Sequence, residues 1–239
     1  MNRWIGGALA VGVVAAVATA CVENKGSIYV QGIMAPPIPQ PGQPCTYTPQ
    51  ASSTTLFQGT LDVGFADSYT AVFLVGNQMV QRGSASQVRA ESSRVQLLGG
   101  VVRLTDTTGA QVANFTALGS GYAEAASGNT PGYGAIALTV IDPATVENVL
   151  RPAVSNGSSK RLIANVKVYG QTLGGLRVES GEYPFPVDVS AGCLVRIPAD
   201  APTCVSSGSS AQLVSPCVLG QDTAIDCRLC NSYSALCKP

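Results

Sequence analysis

Hydrophobic residues in this chain recur mostly at every second position, in short runs bounded by Gly, Pro, Asn and Asp, which is the pattern of half-buried strands. Phe57, Leu61, Val63 and Phe65 fall on one side of a run and Gln58, Thr60 and Asp62 on the other, predicting a strand over 57–65 with one wet face. Leu162, Ala164, Val166 and Val168 alternate with Arg161, Asn165 and Lys167 in the same way. Residues 69–75 are apolar on both faces, as a central strand is. Further strands are predicted over 27–32, 78–82, 86–97, 100–105, 110–118 and 134–141. A last strand or pair covers 176–189, where Pro184 and Pro186 favour an edge. Thr105-Asp-Thr-Thr-Gly109 supplies turn chemistry between two strands. One short helix is expected, capped by Asp142, opened by Pro143 and ended before Pro152.

Many short strands and one helix make an all-β domain. The expectation is an immunoglobulin-like β-sandwich with one short helix and a disulfide-rich C-terminal tail, with a closed barrel as the alternative. No period of 20–50 residues recurs, so a repeat array is not expected. The even strands and aromatic girdles of a membrane barrel are missing from the pattern.

The first 21 residues break with this pattern. Arg3 precedes a small-apolar run that ends Ala18-Thr19-Ala20-Cys21, the layout of a secretory signal peptide. The run falls short of the ~20 apolar residues a stable transmembrane helix needs, which leaves an uncleaved anchor as the rival reading. A Cys directly after the small residues resembles a bacterial lipobox, although Ala18 stands where Leu is usual. The resemblance implies that Cys21 is acylated and becomes the mature N-terminus, anchoring the chain to a lipid bilayer. Val22 rather than Asp follows, which in enterobacterial lipoproteins accompanies passage to the outer membrane. The expected division is then a signal peptide over 1–20, a lipidated N-terminus and Pro-rich tether over 21–44, a sandwich over 45–192 and a Cys-rich extension over 193–239. Prolines 36, 37, 39, 41 and 44 suit either an extended spacer or a packed edge loop.

Composition narrows the function classes. Without residues 1–20 the chain has 13 basic and 14 acidic residues, no footprint for nucleic acid. The absence of His removes Ser-His-Asp and Cys-His catalysis and any imidazole-ligated metal. Trp4, the single Trp, lies in the signal, which weakens a carbohydrate platform.

Export makes disulfides the default for Cys45, Cys193, Cys204, Cys217, Cys227, Cys230 and Cys237. Cys45 could reach Cys193 or a tail cysteine, tying the ends of the domain together. Once Cys21 is acylated the remaining number is odd, so one thiol is free or pairs outside the chain; without acylation all eight could pair. Cys227-Arg-Leu-Cys230 lacks the βαβ context of a redox motif, and a single Cys-x-x-Cys without His makes a poor zinc site. No metal and no cofactor is expected.

No Gly-x-Ser-x-Gly elbow or phosphate loop occurs in a fitting context. Ser158-Ser-Lys160 reads as a solvated turn. Asp62 with Asp67, and Glu179 with Glu182, are candidate acid pairs that read more simply as solvated strand-edge carboxylates. Asp222 and Asp226 lack the spacing of a calcium loop. The signal, Gly26-Ser-Ile-Tyr-Val-Gln-Gly32, the proline run, Tyr69-x-Ala71-x-x-x-Val75-x-Asn77 and the Gly192-Cys-Leu194 and Cys217-to-Cys227 steps resemble a set of uncharacterised myxobacterial envelope lipoproteins. That resemblance carries no activity and no functional residue besides Cys21. The expected function is a non-enzymatic binding or structural module at the cell envelope with a protein partner there; the alternatives are an accessory subunit of a surface assembly and, below it, a carboxylate hydrolase.

Overall fold

The computed structural model describes residues 26–38, 43–83, 91–154, 158–205, 213 and 215–238. Residues 1–20 and Cys21, with Pro39, Pro41 and the first part of the expected 86–97 strand, lie outside the described residues. Ten strands form one sheet: β1 (Ile28–Met34), β2 (Thr55–Leu56), β3 (Gly59–Asp62), β4 (Tyr69–Asn77), β5 (Val95–Asp106), β6 (Gln111–Ala123), β7 (Gly132–Ile141), β8 (Ser159–Thr172), β9 (Arg177–Glu179) and β10 (Tyr183–Ser190). Their order is β2-β1-β4-β7-β6-β5-β8-β10-β3, and β9 also pairs with β8. The end strands β2 and β3 are separated in the chain by Phe57 and Gln58 alone, so the sheet rolls until its edges nearly meet. The fold is β-rich as expected, but the expected pair of sheets is a single, nearly closed, barrel-like sheet.

Inward positions follow the alternation. Leu162, Ala164, Val166 and Val168 of β8 are buried beside Val102 and Leu104 of β5, and Phe73 of β4 is fully enclosed. Residues 95–97 of the expected 86–97 strand and all of the expected 100–105 strand belong to one continuous β5, whose register shifts at a bulge between Leu97 and Gly99; residues 91–94 are not strand. The expected 78–82 strand is reduced to one bridge, Val80 to Ala126. At the turn, Gly109 has φ +87°, and the Asp106 carboxylate accepts from Thr108 and Ala110 N–H. Pro184 and Pro186 lie in the half of β10 before β3 joins it, paired with β8 only; Val187–Ser190 is flanked on both sides. Ser159 and Lys160, expected in a turn, already pair with Ser190 and Val189.

The helical stretch begins at Pro143, as expected, but runs past Pro152 to Ala153. A wider turn over Val146–Leu150, in which Arg151 N–H reaches the Val146 carbonyl, carries it there. Val146, Leu150 and Val154 point into the core.

Two seams interrupt the rolled sheet. Between β6 and β7 a single pair, Ala123 with Gly134, is laddered. The strands cross closely beside it at Gly121, where any Cβ would strike the Ala135 carbonyl. The second seam separates β3 from β4 and is filled by the C-terminal segment. The proline-rich stretch leaves β1 and re-enters the sheet at β2, so its described residues connect two paired strands.

Candidate functional site

The second seam gathers most of the polar chemistry. Gln221 bridges Leu61 of β3 in antiparallel fashion: Asp62 N–H donates to the Gly220 carbonyl and Asp222 N–H to that of Thr60. On the β4 side the strand is replaced by a side chain. The Gln221 amide accepts from Thr70 N–H at 2.9 Å and donates to the Thr70 carbonyl at 2.6 Å. Asp222, in the left-handed region at φ 58°, turns its carboxylate back into the seam, where it accepts from Thr60 N–H at 2.8 Å and from the Tyr69 hydroxyl at 2.8 Å. Burial pushes the Asp222 carboxyl above the usual carboxylate range. Tyr69 is raised too, by burial and then by the Asp222 charge.

Asp62 corrects the expected wet face of the 57–65 run. Its side chain is fully buried and accepts from the N–H groups of Gly64, Gly192 and Leu194 at 2.8 to 3.0 Å. Phe57, expected inside, is 94% exposed because the chain turns there between the two sheet edges. Asp67 is elsewhere, accepting from Ser68. Glu182 pairs with Arg103 at the surface, and Glu179 is exposed on β9. Of the acids paired as catalytic candidates, Asp62 organises a loop and Glu182 carries an exposed ion pair, while Asp222, weighed as a calcium ligand, closes the seam.

Beyond the seam the tail forms a small body of its own, with the parallel pair β11 (Val195–Arg196) and β12 (Ile225–Asp226) and a helical turn, Cys227–Cys230. Its core is made of cystines: Cys204 bonds to Cys227 and Cys230 to Cys237, and all four are buried with Ile225. The two cysteines of the Cys-x-x-Cys thus belong to different disulfides. Cys45 joins Cys217 across 172 residues, fastening the tail to the segment before β2. Cys193 is exposed and, among the described residues, is the cysteine outside a disulfide; desolvation holds its thiol above the usual value. Asp226 faces Arg228 at 2.8 Å rather than Asp222, and that guanidinium holds its carboxyl down to about 2. No cluster of three metal-binding side chains occurs among the described residues.

The outer face of β5, β6 and β8 offers a different surface. Leu118 is 81% exposed and lies opposite Gly99, which lies opposite Tyr169. Tyr169 covers Gly99, whose missing side chain leaves it room. Val101, Leu98 and Tyr122 stand exposed around this row, and the Arg94 guanidinium stacks 4.7 Å above the Tyr122 ring. Sequence reading missed this face, although Leu118 breaks the alternation set by Phe115 and Ala117. It also missed Gln221, which carries no local signal at all. No known protein family, curated protein or solved structure matches the chain.

Proposed function

We propose that this chain is a lipoprotein of the cell envelope, acylated at Cys21 and sorted to the outer membrane, whose barrel-like domain is a non-enzymatic binding or structural module for a protein partner. The observation that carries the binding role is the exposed row of Leu118, Val101, Leu98 and Tyr122 on β5 and β6. Such a patch on a laddered sheet presents apolar area without ordering cost, a feature of protein-contact surfaces. The separate engagement of Asp62, Asp222 and Glu182 favours this role over hydrolysis. No helix among the described residues is long and apolar enough to cross a membrane.

Mass spectrometry of the native mature N-terminus tests the anchor: an acylated Cys21 is expected, and an unmodified one ends the lipoprotein reading. Leu118→Asp tests the surface. It should leave the melting curve unchanged while removing the protein from any larger envelope complex on native gels. The accessory-subunit reading draws support from exposed Cys193, which could form an intermolecular disulfide in an assembly. A species sensitive to reductant on non-reducing gels, lost in Cys193→Ser, would favour it.

A further inference from the structure

Strand registers place the ends of six strands on one rim of the barrel. Ile28 pairs with Asn77, Asn77 with Gly132, Ala123 with both Gly134 and Val95, and Val95 with Thr172. The chain therefore enters the sheet at this rim. Six residues separate Cys21 from Ile28, a reach of at most about 25 Å at ~3.5 Å per residue. The opposite rim, across the nine residues of β4, is roughly 30 Å farther along the barrel. An acyl anchor at Cys21 thus draws the Ile28 rim, and not the other, toward the bilayer.

That same rim carries exposed aliphatic side chains on its loops. Leu173 (53% exposed) and Leu176 (48%) flank Gly174-Gly175 at the tip of the β8–β9 hairpin, and Val80 (58%) stands on the facing loop. A cleft of about 570 Å³, lined by Met79, Val80, Arg82, Ser92, Thr172 and Leu176, opens between them. Arg82 and Arg177 are exposed next to the apolar tips, and guanidinium groups beside an apolar edge are suited to lipid phosphates. Of the neighbouring acids, Glu91 accepts from Arg82 and Gly83 N–H, Glu124 pairs with Arg94 at 2.8 Å, and Glu179 stands exposed two residues from Arg177. The hairpin is held stiffly behind its tip, with Leu173 N–H on the Arg94 carbonyl and Gly174 N–H on that of Ser92.

We infer that this rim is a second membrane contact, with Leu173, Leu176 and Val80 seated in the interfacial layer of a phospholipid bilayer. The inference rests on the lipoprotein reading and adds to it a fixed orientation of the barrel on the membrane. The contact turns a tethered barrel into a docked one, leaving the outer face of β5 and β6 standing clear of the lipid.

The test exploits the loss of Trp4 with the signal, which leaves the mature chain free of tryptophan. Leu176→Trp, with Leu173→Trp as a second reporter, is compared with Thr107→Trp on the turn at the opposite rim. Each acylated full-length protein is reconstituted in vesicles of phosphatidylethanolamine and phosphatidylglycerol with brominated acyl chains. Quenching of the hairpin tryptophans should exceed that of Thr107→Trp by at least about threefold, with a blue-shifted emission. Equal quenching at both rims, in a protein that is acylated and floats with the vesicles, overturns the inference and leaves the anchor standing. A blue shift that depends on protein concentration without bromine quenching assigns the rim to a second copy and overturns it as well. A protein that does not float and has an unmodified Cys21 removes the lipoprotein reading, and this inference with it.

Discussion

The side-chain amide of Gln221 takes the place of a strand beside Thr70, accepting from its N–H at 2.9 Å and donating to its carbonyl at 2.6 Å. With its own backbone bridged to Leu61, this single residue joins the two margins of the second seam. Replacement by Leu keeps the volume and leaves two backbone groups of Thr70 without those partners. Gln221→Leu should therefore cost about 2 kcal/mol, read as a lower urea midpoint. An unchanged midpoint would mean that the amide closes nothing.

Asp62 performs a comparable task for the loop after β10, collecting N–H groups from Gly64, Gly192 and Leu194. Asp62→Ala strands all three and should cost about 4 kcal/mol, whereas Asp62→Asn keeps one acceptor oxygen and should lose roughly half of that. Equal losses for the two variants would show that volume, not acceptance, matters there.

The disulfides should contribute unequally. Cys45–Cys217 closes a loop of 172 residues and Cys230–Cys237 one of 7. On chain-entropy grounds, replacing the first pair by Ser costs about 5 kcal/mol and the second about 2. Calorimetry of the two double variants checks the order.

Two carboxylates give opposite pH dependences. The folded chain holds a proton on buried Asp222 at pH values where the unfolded chain has released it. Stability from this group is thus full below the ordinary carboxylate value of 3.8 and falls as pH rises through the higher folded value. Asp226, held at about 2 by Arg228, contributes fully, by about 2 kcal/mol, above 3.8 and loses its share as pH falls through about 2. Asp222→Asn should flatten the upper slope and Asp226→Asn the acid limb in urea midpoints measured against pH. Slopes identical to the parent protein would refute both assignments.

A thiol count separates the cysteines. The native acylated chain should react with one equivalent of maleimide, at Cys193, and with seven after unfolding and reduction. Its raised thiol makes this reaction slow at neutral pH and faster in mild alkali. A second native equivalent would place a free thiol at Cys21.

Short-range pattern carried the strands whose neighbours are regular and missed what distant residues decide. The alternation at Leu162 to Val168 is legible because β8 is laddered along its whole length. The same rule fails at Phe57, where the chain leaves one sheet edge for the other. It fails again at Asp62, whose N–H partners Gly192 and Leu194 lie some 130 residues away in sequence. The bulge at Leu97 and Gly99 looks like a gap between strands, since both periodicities are intact on either side of it. Of the seam, the sequence shows the tail cysteines and the acids but not their grouping. Gln221 acts through a rotamer and a register that no local spacing encodes.

Closure by the tail also sets a timetable. A ribosome or translocon delivers β1 long before residues 220–222, so the margins of β3 and β4 wait, unjoined, through the 162 residues that separate Thr60 from Asp222. Cys45 likewise waits for Cys217. A chain interrupted before residue 220 is therefore a sheet with two open margins, soft enough to unthread. Only the arrival of residues 220–222 locks it shut.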